Sequence, residues 1–149
     1  MNSDDNIVLP EQNFDDVLAT MPCVAASFRK LIASEAAIVC DEIERLFGCG
    51  STRVWWTSMG PIIRQVDDGE SALCTELFRL GVREMEEVLF VPDNDNGLPL
   101  PVYSCSGTLL DGVIRQCQFW EYYVYVRERH ILVASTDHNE FVVARAENS

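Results

Sequence analysis

The last third of the chain, Phe119 to Ala144, constrains the fold most. It reads as three β-strands in succession, at 119–126, 131–136 and 141–144, built from aromatic, β-branched and aliphatic residues. The breaks between them, Arg127-Glu128-Arg129-His130 and Asp137-His138-Asn139-Glu140, carry the charged and amide side chains that turns tolerate. An antiparallel meander of this kind has an apolar face to bury, and helices earlier in the chain are the candidates to cover it.

Those helices have sequence signals of their own. Pro10 to Met21 suggests a short first helix. From Pro22 to Phe47, apolar residues recur at Phe28, Leu31, Ile32, Val39, Ile43, Leu46 and Phe47, mostly in threes and fours, which predicts one long amphipathic helix. Pro22 suits its first position, and Gly48 and Gly50 supply a left-handed stop. Its opposite face, with Arg29, Lys30, Glu35, Asp41, Glu42 and Arg45, is expected to be wet. Arg53 to Ser58 is rich in strand formers, and Gly60-Pro61 separates it from a second strand-like run, Ile62 to Val66. Asp67-Asp68-Gly69-Glu70 has capping-box spacing and predicts a helix running to Leu80, burying Leu73, Leu77 and Phe78 and stopping at Gly81. Strands follow at Glu87–Val91 and Val102–Cys105, and Ser106 is placed to cap a short helix containing Leu109, Leu110, Val113 and Ile114. The order predicts an α+β fold: one domain over 1–149, with 1–9 as a flexible arm or short edge strand. Its sheet is mainly antiparallel, with a C-terminal three-strand meander covered by a long N-terminal helix and two shorter helices.

Charge narrows the function classes. The chain has 24 acidic residues against 11 basic ones, a formal net charge of −13 in 149 residues. A phosphate backbone would be repelled by such a surface, which argues against nucleic acid as a partner. A basic protein would be drawn to it by long-range attraction, although solubility alone also explains the charge. The six cysteines, at 23, 40, 49, 74, 105 and 117, include no Cys-x-x-Cys pair and match no structural zinc spacing. Free thiols in a reducing compartment are expected, with Cys23, Cys40 and Cys74 inside helices. The acidic start, Met1-Asn-Ser-Asp-Asp-Asn6, has neither the basic nor the apolar region of a signal peptide, and no run reaches membrane-spanning length, so the expected location is the cytoplasm.

Sites of chemistry are few. The acidic loop Asp93-Asn-Asp-Asn-Gly97 invites comparison with a calcium loop, but counted from Asp93 the glycine falls at position five and position twelve is Ser104. A calcium loop needs glycine at six and glutamate at twelve, so a plain Asn-Gly turn is expected. His130 and His138 flank the middle meander strand and should lie on the order of 20 Å apart, too far to share a metal. His138, with Glu121 or Glu140 nearby, is the one candidate general base. His138, Glu121 and Tyr123 are the one grouping for an enzyme or ligand site, and no nucleophile with an adjacent base is apparent. No glycine-rich phosphate loop follows a strand, and neither a cofactor nor a metal is expected. Strand alternation separates Trp120, Tyr122, Val124 and Val126 from Phe119, Glu121, Tyr123 and Tyr125. If helices cover the first set alone, Glu121, Tyr123 and Tyr125 form an open interaction face; if helices cover both faces, they do not.

The segments Phe119-Trp-Glu-Tyr-Tyr-Val124, Asp137-His-Asn-Glu-Phe-Val-Val143, Leu89-Phe-Val-Pro-Asp93 and Pro99-Leu-Pro-Val-Tyr103 resemble a family of small bacterial proteins of unassigned function. That family carries an aromatic-Glu-Tyr-Tyr strand, and the resemblance spans about residues 53–144. The chain departs from it where a middle-strand tryptophan gives way at His130-Ile131 and a histidine pair is reduced to Asp137-His138. In size and style the chain is also similar to SMI-type (SUKH) immunity proteins, α+β modules that neutralise secreted bacterial toxins by binding them. The charge of −13, the lack of an apparent catalytic apparatus and this likeness together lead to the expectation of a non-enzymatic protein that binds a cognate, basic protein toxin. The acidic and aromatic residues expected to contact it are Asp67, Asp68, Glu70, Glu86, Glu87, Asp93, Asp95, Glu121, Tyr123 and Tyr125. The alternatives are a small enzyme or ligand-binding domain using His138, Glu121 and Tyr123, and an adaptor that dimerises through its tyrosine face.

Overall fold

A computed structural model of the chain describes residues 10–48, 55, 59–67, 73–84, 86–93, 100–117, 121–136 and 140–146. Among these, seven strands form one antiparallel sheet: β1 (Arg29–Lys30), β2 (Ile62–Asp67), β3 (Glu87–Pro92), β4 (Tyr103–Ser106), β5 (Tyr122–Val126), β6 (Ile131–Ser135) and β7 (Glu140–Arg145). Their spatial order is β1-β4-β3-β5-β6-β7-β2. Five helices pack on the sheet: α1 (Pro10–Ala19), α2 (Pro22–Ala25), α3 (Ala33–Phe47), α4 (Leu73–Arg79) and α5 (Gly107–Ile114). This is the α+β architecture the sequence predicts, with the meander β5-β6-β7 at its centre.

Both faces of the sheet are covered. Ala36, Val39, Cys40, Ile43 and Phe47 of α3, joined by Trp55 and Met59, pack on Leu89, Val91, Tyr123, Tyr125, Leu132 and Ala134. On the other face α1, α4 and α5 bring Phe14, Leu73, Leu77, Leu110 and Val113 against Val88, Phe90, Tyr122, Val124, Val133 and Val143. Over Tyr122–Val126 the period-two division of the aromatic strand is therefore correct, but neither half of it is open there. Sandwiched strands of this kind read as continuous apolar runs, and all five residues of β5 are buried.

The long helix predicted over 22–47 is broken. α2 ends at Ala25, and Arg29–Lys30 pairs with Tyr103–Ser104 as β1. Leu31 N–H then donates to Val102 O at 2.9 Å before α3 begins. Phe28 packs against Phe14 on one face of the sheet (ring centroids 5.8 Å apart), whereas Leu31 joins the core on the other. The segment wraps round the sheet edge, which a continuous helix could not do. α3 itself ends as expected, at Gly48 with φ of 68°.

Other departures are local. Trp55 is the one described residue of the strand expected over 53–58; it is buried in a helical turn, its carbonyl accepting Met59 N–H at 2.9 Å. Asp67 ends β2 opposite Glu140, and the described part of the helix expected after it, α4, is Leu73–Arg79. Phe78, expected in the core, is 78% exposed, while Leu73 and Leu77 are buried. Ser106 caps α5 as predicted, its Oγ accepting Leu109 N–H at 3.3 Å. Arm 1–9, Asp68, Glu70, Asp95, Gly97, Phe119, Trp120 and the turn 137–139 lie outside the described residues.

Candidate functional site

Charge is sorted by the strand registers. The cross-strand pairs Pro92↔Tyr122, Tyr122↔Ser135, Ser135↔Phe141 and Glu140↔Asp67 run along one rim of the sheet. Asp93 follows β3, Glu121 precedes β5, Glu140 opens β7 and Asp67 closes β2, so four acidic residues border that rim. Asp93 N–H donates to Glu121 O at 3.2 Å, which places those two side by side. Asp93 is buried and Glu121 and Glu140 are half-buried; the Glu140 carboxylate accepts Gln65 Nε2 at 2.9 Å.

The opposite rim lies roughly 15–20 Å away by strand rise. There the turn Arg127–Arg129, His130 and the end of β7 at Arg145 gather most of the basic groups of the meander. Glu86 and Glu87, at the start of β3, belong to this rim and not to the acidic one. Glu86 is consumed internally: both its oxygens accept Arg129, each at 2.8 Å. The Arg129 guanidinium holds the Glu86 carboxyl below its ordinary range. Glu87 is exposed and accepts a hydrogen bond from Ser104 Oγ.

Basic side chains elsewhere are used as ties between elements. Arg127 pairs with Glu42 at 3.0 Å, Lys30 with Asp15 at 3.2 Å, and Arg64 with the wholly buried Glu76 at 2.7 Å. Among the described residues, Arg45, Arg83 and Arg145 alone of the basic side chains make no ion pair. The surplus carboxylates, including Asp16, Asp41, Glu84, Glu87 and Glu128, are exposed.

The tyrosine face expected to receive a partner is instead core, which corrects that expectation. Tyr123 and Tyr125 are both 0% exposed under α3. The Tyr123 hydroxyl accepts Trp55 N–H at 3.0 Å, and Trp55 Nε1 donates to Glu44 at 3.1 Å. The Tyr125 hydroxyl donates to Glu42, and burial first, then that carboxylate, pushes its pKa up. The polar tips under α3 are satisfied: Glu42 of the helix receives the Tyr125 hydroxyl of the aromatic strand, and Glu44 receives the indole N–H of Trp55. Tyr123 is thus withdrawn from any grouping with Glu121, and His138 lies outside the described residues.

Of the predicted contact residues, the fold sets Asp93 beside Glu121 and places Asp67 on the same rim but three strands away from Glu121, at the end of β2. It separates Glu86 and Glu87 from them and buries both tyrosines. Sequence reasoning named Glu140 only as a neighbour of His138, its place on the rim following from the β2–β7 register, and missed Ile38, which is 63% exposed on α3. Ile38 shares the outward stripe with Ser34, Asp41 and Arg45; its position is legible once the helix is known to begin at Ala33. Among the described residues no group of His, Cys, Asp or Glu is placed to hold a metal, and no helix is long and apolar enough to cross a membrane. Comparison with protein-family models, curated proteins and solved structures found no match.

Proposed function

We propose that this chain is an acidic binding protein of the immunity type, which neutralises a cognate basic toxin by occupying its surface. The observation that carries this reading is the polarised sheet. Among the described charged residues, acidic ones alone border one rim, whereas the other mixes Arg127, Arg129 and Arg145 with Glu86, Glu87 and Glu128, so a charge of −13 acquires a direction. Asp67, Glu121 and Glu140 supply the acidic rim, and Asp93 adds field from a buried position. Such a field accelerates encounter with a cationic partner and selects against anionic ones.

The test is co-expression with the product of the neighbouring open reading frame. The two proteins should co-purify and the toxic phenotype should be suppressed. In the triple variant Asp67→Lys, Glu121→Lys, Glu140→Lys, affinity should fall at least about tenfold, with most of the loss in association rate. Asp16→Lys, on α1, should change little. A neighbour that neither binds nor is neutralised would remove the proposal.

A further inference from the structure

β2 is an edge strand, hydrogen-bonded to β7 on one side with no described strand on the other. It is six residues long, and Ile62 and Ile63 are 45% and 47% exposed. An edge of this length is a template for one more strand. Its pairing with β7 shifts between Ile62 and Arg64, so Ile63 is the extra residue of a bulge. Ile63 there lines a cleft of about 590 Å³ with Pro61, Glu128, Arg129, His130, Arg145 and Ala146. The backbone fixes the floor of this cleft: Arg145 N–H donates to Pro61 O at 3.1 Å and Ala146 N–H to His130 O at 2.8 Å.

The edge is electrically polar. It starts at the rim of mixed charge, where Arg145 is exposed and in no ion pair, and ends where Asp67 faces Glu140 in register on the acidic rim. An antiparallel strand added to β2 would place its C-terminal end beside Ile62 and Ile63, and its upstream residues beside Asp67. A parallel strand would bring an ammonium terminus to the same arginine. We infer that the β2 edge captures the C-terminal strand of a partner protein, in antiparallel register, with the free α-carboxylate held by Arg145 in the cleft and basic residues upstream facing the acidic rim. The planar guanidinium suits a carboxylate, and the imidazole of His130 supplies a second polar group. Arg129 is engaged by Glu86, and Glu128 opposes an anion, so Arg145 carries the recognition. A second copy of this chain is disfavoured as the occupant, because two molecules of charge −13 repel. The inference stands whether or not the acidic rim binds a toxin.

The probe is an array of synthetic hexapeptides with Val, Ile or Thr at the last four positions and Lys or Arg at the first two. Each is made both with a free C-terminal carboxylate and as the amide. The full chain should bind a subset of the free acids about tenfold more tightly than their amides, the worth of a charge-assisted contact. Arg145→Gln should erase that preference while leaving the amides unaffected. Because that variant could perturb β7, a second arm leaves the protein intact. N-methylation at alternate peptide positions should abolish binding, and methylation at the intervening positions should not, as expected for a paired strand. Equal binding of acid and amide, or no binding by any peptide, would overturn the inference. So would light scattering that shows a dimer dissociated by Ile63→Asp, which would give the edge to a second copy.

Discussion

Gly107, the first residue of α5, sits so close to α4 that a Cβ there would lie 2.5 Å from Leu77 Cδ1. Leu77 is itself buried, so making room for the added methyl disturbs its packing. Gly107→Ala should therefore destabilise by about 1–2 kcal/mol through overpacking, read as a lower denaturant midpoint at unchanged slope. An unchanged midpoint would mean that α4 and α5 separate freely. The sequence offers Gly107 only as the residue after a capping serine; its closeness to Leu77 arises from two helices distant in the chain. The same holds for Tyr123 and Tyr125. Alternation assigns their common face correctly, yet what covers that face depends on where α3 docks, and carboxylates at Glu42 and Glu44 are not legible as hydrogen-bond acceptors until it has.

At the scale of elements, α4 is held to β2 by one buried carboxylate. Glu76 has no exposed surface and accepts Arg64 Nε at 2.7 Å and Arg79 Nη1 at 3.3 Å. Removing a partner from a buried ion pair costs about 3–5 kcal/mol, less where the stranded charges regain water. The side chains of Arg64 and Arg79 are 35% and 54% exposed, so Glu76→Gln should cost about 2 kcal/mol. Chemical denaturation checks the value, and a loss below about 0.5 kcal/mol would show the pair to be ornamental. In sequence, Glu76 lies on a helix in which Leu73, Leu77 and Phe78 are the residues expected in the core. Tertiary structure changes that arrangement, burying the glutamate and exposing Phe78, because Arg64 reaches from β2 to the carboxylate. Where the signal lay within a single element it was sound: β3, α5 and the three meander strands form within a few residues of the predicted bounds.

For the whole molecule, burial of weak acids couples stability to alkaline pH. Burial pushes the Cys40 and Cys117 thiols up to about 11 from an ordinary value of 9.0, and raises Cys105 and Tyr125 as well. The folded chain thus keeps protons that the unfolded chain releases. The contribution is complete below pH 9 and is lost as pH rises from 9 through 11. Under reducing conditions Tm should be nearly level from about pH 7 to 9 and fall between about 9 and 11, and Cys40→Val should flatten part of that fall. A Tm that held to pH 11 in the parent chain would contradict the burial of these groups.

By itself the sequence determined the α+β class, the central meander, the caps at Gly48 and Ser106, and the sign of the molecular charge. Each depends on local periodicity, turn chemistry or simple counting. Only the tertiary structure decided that residues 26–32 wrap the sheet edge, that both sheet faces are covered, and that Asp67, Asp93, Glu121 and Glu140 share a rim opposite Arg145. Those outcomes follow from register and docking between segments far apart in the chain, where the energy of a contact is shared by partners that neither segment encodes alone.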